Sequence, residues 1–229
     1  TTAQWNHLVS DIHELDGLPD HFIDACAKKA NDKNQTGWLL TLDAPSVMMV
    51  TQYAQSRALR RTVYDAYCTR ASEQPPHNSK HDNTPIINET LALRLELAKL
   101  LDFEHFAAHS LATKMIKQPE DVLSFLQTLI EAAMPQAKTE MAALQQFSRE
   151  HLGLEELAAW DIAYVSEQYR LAQYDLSQET LRPYFQAPTV VQGLFHIANA
   201  LFQIDITEIT QDVDTWHSDV QCFKVTNDQ

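Results

Sequence analysis

Residues 160–195 read WDIAYVSEQYRLAQYDLSQETLRPYFQAPTVVQGLF. Asp161 can accept hydrogen bonds from the first free amides of a helix, and the apolar and aromatic residues behind it recur at helical spacing. A helix is predicted over 161–173, with its aromatics packed on an inner face. Pro183 and Gly193 punctuate the next part of the chain, where shorter helices are predicted over 178–184 and 189–203. Beyond them the pattern changes. Ile204-Asp205-Ile206-Thr207 and the stretch 220–226 alternate and carry β-branched residues, which predicts short strands. A terminal strand of this kind has an edge open to pairing with another strand.

Upstream the helical reading continues. Pro119-Glu120-Asp121 suits a helix start, with proline in the first turn and acids at the positive end of the dipole. Val122, Phe125, Leu126, Leu129 and Ala133 then keep helical spacing up to Gly153, with a kink expected at Pro135. The stretch 84–101 is ambiguous, because Leu91, Leu93, Leu95 and Leu97 alternate as in a strand. Its Leu, Ala, Arg, Glu and Lys are helix formers, no β-branched residue occurs over 91–101, and Pro85 fits a first turn, so helix is the reading. Further helices are predicted over 20–33, 46–55, 57–71 and 104–109, and a strand or extended segment over 38–42. The stretch 73–83, with Pro75-Pro76, is a loop and the one candidate break in what otherwise reads as a single helical region over 1–229. The fold class is mainly α, with short strands near 38–42 and 204–226.

Composition narrows the function. The chain has 229 residues, 45% of them hydrophobic and 21% charged, as in a soluble globular protein. Only four glycines occur. The formal net charge of −14 disfavours nucleic acid and anionic membrane surfaces, both of which need Lys/Arg contacts. Cys26, Cys68 and Cys222 are odd in number and widely spaced, and read as free thiols of a reducing, cytoplasmic compartment. No apolar run reaches the roughly 20 residues of a transmembrane helix. The start, Thr1-Thr2-Ala3-Gln4-Trp5, lacks both a secretion signal and an initiator Met, which fits a chain beginning inside a longer protein.

Chemistry-bearing patterns are sparse. No His-Glu-x-x-His occurs. His105 and His109 have the spacing of paired ligands, but Phe106 stands where a general base would, and an exposed or partly packed histidine pair is the plainer reading. His77 and His81 share the spacing within the proline-containing loop, where a helical face is not assured. Ser166 has no glycine-rich elbow or neighbouring histidine, Cys68 has no histidine near it in sequence, and Glu167, Asp175 and Glu179 lack a spacing suited to acid–base work. No catalytic residue and no metal ligand is assigned.

The ordered set of short segments carries a resemblance. Trp160-Asp161, Tyr164-Val165-Ser166-Glu167, the run 181–185 (LRPYF) and Gly193-Leu194-Phe195 are similar, in this order, to a region of the thimet oligopeptidase / oligopeptidase A family of zinc metallopeptidases upstream of its catalytic helix. Gly17-Leu18-Pro19, the run 37–43 (GWLLTLD) with Pro45-Ser46, and the run 67–72 (YCTRAS) resemble earlier family segments. So do Asp82-Asn83, the stretch 91–101, the run 110–115 (SLATKM) and the run 212–217 (DVDTWH). The resemblance is colinear and covers nearly the whole chain.

That resemblance implies a fragment of a two-lobed, mainly helical zinc endopeptidase. The parent would hydrolyse short peptides in a deep channel and hold one zinc on residues this chain lacks. The fragment alone is expected to bind no zinc and to be inactive, its natural partners being peptides and the remainder of the peptidase chain. Tyr164, Tyr169 and Tyr174 are the candidates for a wall of the substrate channel; the alternative is that they pack the inner face of their helix. Two non-catalytic readings stand beside this one: a helical peptide-binding module, and a structural domain that pairs its terminal strand with another chain.

Overall fold

The computed structural model describes residues 5–77, 81–175 and 181–227. Its contacts divide the chain into two compact units, Thr1–Tyr174 and Asp175–Gln229. Among the described residues there are eight α-helices and two antiparallel two-stranded sheets, so the fold is mainly α with short strands.

The core of the first unit lies in its N-terminal part. Strand β1 (Asn6–Val9) pairs antiparallel with β2 (Trp38–Thr41), Asn6 opposite Thr41 and Val9 opposite Trp38. Helix α1 (Asp20–Asn31) crosses between them, and α2 (Ala44–Tyr53) and α3 (Arg57–Cys68) come next. Val9, Leu15, Cys26, Leu40, Val50 and Val63 meet in one apolar cluster. Each such Val or Leu contributes about 1.5–3 kcal/mol by leaving water. Asp43 caps α2 by accepting from the Ser46 N–H at 3.1 Å, and Ser56 caps α3 by accepting from the Leu59 N–H at 3.3 Å. Gly37 makes the tight entry into β2: its φ is +119°, and a Cβ there would collide with the Val9 carbonyl.

Beyond α3 the chain buries little of itself. The expected loop is closed where the Asn83 N–H donates to the Ala71 carbonyl at 2.9 Å; residues 78–80 lie outside the described residues. Helix α4 (Thr84–Leu100) settles the ambiguity in favour of helix, yet its one buried residue is Ala98. The short α5 (Phe106–Leu111) begins two residues later than the sequence suggests, because His105 serves as its N-cap. Helix α6 (Pro119–Leu152) runs 34 residues, unbroken through Pro135, to a left-handed Gly153 at φ 65°. Helix α7 (Ile162–Tyr174) returns along α6 and packs on α2.

In the second unit Arg182–Tyr184 form a single 3-10 turn; the start of the helix predicted over 178–184 lies outside the described residues. Helix α8 (Ala187–Phe202) ends at Gln203, left-handed at φ 53°, which turns the chain into β3 (Ile204–Glu208). β3 pairs antiparallel with β4 (Phe223–Asn227), Ile204 opposite Asn227 and Glu208 opposite Phe223. The Phe195 and Phe223 rings meet edge to face, 4.9 Å between centres, and hold α8 on the hairpin.

Candidate functional site

Two carboxylates fix α7 in place. At its start, Asp161 is fully buried and lies against the first turn of α3. Arg57 Nη2 donates to its Oδ2 at 2.7 Å and Arg60 Nη2 to its Oδ1 at 2.9 Å, and the Ala158 N–H donates to Oδ2 at 3.0 Å. The sequence predicts that Asp161 caps α7 by accepting from the amides that follow it; instead its carboxylate reaches back to the Ala158 N–H at the head of the 3-10 turn Ala159–Asp161, and the two arginines, far off in the chain, escape a sequence reading. Arg60 also donates from Nη1 to the Ala54 and Gln55 carbonyls, and its guanidinium lies 4.1 Å from the centre of the Tyr164 ring. Burial alone would raise the Asp161 pKa. The hydrogen bonds from Arg57, Arg60 and Ala158, with the charge of Arg57, outweigh it and hold the carboxyl below its ordinary value.

One and a half turns on, Glu167 is buried and accepts from Gln52 Nε2 of α2 at 3.0 Å and from Arg170 Nη2 at 2.6 Å. Trp160 is set between two residues of α3: Tyr64 meets it edge to face at 6.1 Å and the Arg61 guanidinium lies 5.0 Å from its ring. Trp160, Asp161, Tyr164 and Glu167 therefore clamp α7 onto α2 and α3. Of the other carboxylates weighed from sequence, Asp175 comes directly after α7 in a left-handed conformation, and Glu179 lies outside the described residues.

The three tyrosines part company. Tyr164 gives its ring face to Arg60. Tyr169 turns toward α6, edge to face with Phe147 at 5.3 Å, and lines a groove of about 350 Å³ with Thr139, Glu140, Ala143, Leu144 and Ser166. Tyr174 is 74% exposed at the end of the helix. At roughly 100° per residue, a step of five turns about 140° around the axis, so a five-residue spacing sends the three to different faces.

Three of the four paired histidines, His77, His105 and His109, are engaged by the fold. His105 Nδ1 accepts from the Ala108 N–H at 3.1 Å, and His109 is packed between the Phe103 and Phe106 rings. His77 Nε2 donates to the Ala66 carbonyl at 2.6 Å. Among the described residues no group of three or more His, Cys, Asp or Glu is gathered. All three cysteines are free, and burial pushes the Cys26 thiol up to about 11. Among the described residues, no helix is long and apolar enough to cross a membrane.

Residues 50–229 match the sequence pattern of peptidase family M3. The chain is 46% identical over 224 residues to oligopeptidase A of Salmonella typhimurium, covering 98% of this chain and 33% of that protein. It is 45% identical over 224 residues to oligopeptidase A of Escherichia coli, with the same coverage. To the dipeptidyl carboxypeptidase of Escherichia coli it is 32% identical over 220 residues, 95% of this chain and 32% of that protein. The chain spans about a third of the length of the curated relatives it matches.

Proposed function

This chain belongs to peptidase family M3, and on that premise we propose that it is a scaffold segment of a cytoplasmic, zinc-dependent endopeptidase of the oligopeptidase A kind, whose substrates are short peptides. The observation that carries this reading is the colinear 46% identity to oligopeptidase A over 224 residues. Zinc in such an enzyme polarises the scissile carbonyl and lowers the pKa of the attacking water. Its ligands and the general base are assigned to parts of the parent chain other than these residues.

The contribution of this segment is positional. The Asp161 and Glu167 anchors hold α7 against α2 and α3, and α6 runs beside it. Tyr169 and Tyr174 keep the accessibility a channel wall needs, while Tyr164 supports the wall through Arg60. A non-catalytic peptide-binding module is the second reading, and the groove beside Tyr169 is the observation that favours it.

The test compares the complete product of the source gene with the 229-residue chain on a quenched fluorescent peptide of about ten residues. The complete product is expected to cleave it, to stop on chelation and to recover with zinc; the 229-residue chain is expected to be inert. Chelator-sensitive cleavage by the purified 229-residue chain would sink the scaffold assignment. Peptide binding without cleavage by the complete product would favour the second reading.

A further inference from the structure

Helix α4 carries more apolar surface than its neighbours cover. At roughly 100° per residue its Leu and Ile residues spread over an arc of about 220°, twice the stripe of about 100° that suffices for a surface helix. Toward the C-terminal half of α4 the middle of the arc is occupied, Ala98 being fully buried and the Arg94 guanidinium 5.0 Å from the Phe106 ring of α5; in the first turns Ile86 and Ile87, 60% and 54% exposed, leave the arc open. The flanks are open. Leu93, Leu97 and Leu100 lie on one side of that contact, 57%, 43% and 79% exposed. Leu91 and Leu95 lie on the other, 57% and 42% exposed. The rest of the circumference is a narrow polar strip with Asn88, Glu89, Glu96 and Lys99. A helix apolar over so much of its circumference belongs inside a larger structure.

We propose that α4 is an interior helix of the longer M3 peptidase, both flanks being covered by polypeptide of that same chain lying outside residues 1–229. The inference rests on the reading of this chain as a segment of such a peptidase. Two observations choose this occupant over a second copy of the chain. A two-fold partner lays one surface on one stripe, whereas the apolar arc of α4 runs about 220° around the helix and is divided by α5 toward its C-terminal half, so that its two sides there need separate covers. A net charge of −14 on each copy also opposes self-association. Material for the cover is at hand, since the matched relatives carry about two thirds of their length beyond the part aligned with this chain.

The experiment places one cysteine on each flank, Leu93→Cys and Leu95→Cys, in a background with Cys26, Cys68 and Cys222 replaced by serine or alanine. Maleimide labelling is monitored in the 229-residue chain and in the complete gene product. Both positions are expected to label freely in the short chain and at least ~100-fold more slowly in the complete one, the protection that burial under packed structure gives. Free labelling of either position in the folded complete product overturns the proposal, as does a reading frame that ends at Gln229. Protection in the short chain that deepens with protein concentration assigns the face to a second copy instead. Should the cysteine variants fail to fold, Leu93→Met and Leu95→Met serve in their place, read by oxidation with peroxide. Peptide hydrolysis by the same complete product is scored separately: protected flanks without hydrolysis would leave the packing intact and remove the peptidase reading, while hydrolysis with freely labelled flanks would do the reverse.

Discussion

Arg60 and Asp161 stand 101 positions apart and meet at 2.9 Å, with neither side chain open to solvent. The pair joins α3 to α7 across everything between them, including the loop, α4, α5 and the long α6. Removing one partner of a buried ion pair leaves the other charge stranded in the interior, which costs about 3–5 kcal/mol. Asp161→Ala is expected to lose that much in urea unfolding. Exchanging both partners for apolar residues, Arg60→Met with Asp161→Leu, is expected to cost less than the sum of the single changes. Additive losses would mean that the two charges are not coupled.

The same carboxylate sets a pH dependence. Burial raises the Asp161 pKa, but its hydrogen bonds with Arg57, Arg60 and Ala158 bring it below the ordinary value of 3.8. A carboxylate whose folded pKa is depressed adds stability in full above the unfolded value and loses it as pH falls through the folded one. The stability gap between the native chain and Asp161→Asn is therefore expected to be constant from pH 7 down to about 4, and to shrink below 3.8. Urea midpoints of both proteins at pH 7, 5 and 3 measure it; a gap that widens on acidification would refute the assignment.

Gly37 is required by backbone geometry. Its φ of +119° is strained for any L side chain, and the Cβ of an alanine would meet the Val9 carbonyl of β1. Gly37→Ala is expected to destabilise the first unit by about 1–3 kcal/mol. Gly153→Ala, with open space around it, is expected to cost less, since only its φ of 65° resists the change. Thermal melts of the two variants side by side would show the order, and equal losses would remove the role given to the Val9 contact.

Much of this architecture is legible in sequence because it is local. The alternating leucines of α4 could have formed a strand, and residue type decides for helix, since no β-branched residue interrupts 91–101. Gly153 ends α6 as expected, whereas Asp161 bonds back to the Ala158 N–H rather than forward to the amides of α7. The features that escape sequence reading depend on distant partners. Asn6-His7-Leu8-Val9 holds a single β-branched residue, and becomes β1 because β2 lies beside it, about 30 residues on. Arg57 and Arg60, three apart at the head of α3, share a helix face, which is the one local hint of their common target. Tyr164, Tyr169 and Tyr174 share a segment but not a face, and the rotation of the helix separates them.

The three thiols should differ sharply in reactivity. Thiolate is the nucleophile, so a raised pKa and burial both slow alkylation. Burial pushes Cys26 up to about 11 despite the nearby Lys29, whose charge acts the other way, and the side chain is packed in the core of the first unit. Cys68 is exposed at the end of α3, and Cys222 is half-buried ahead of β4. With iodoacetamide at pH 8, Cys68 is expected to be modified first, Cys222 next, and Cys26 at a rate set by opening of the core, rising to that of Cys68 in urea. Peptide mass spectrometry over a time course reads all three sites at once. Modification of Cys26 as fast as Cys68 in the native chain would mean that the cluster around Val9, Leu40 and Val50 does not close over it in solution.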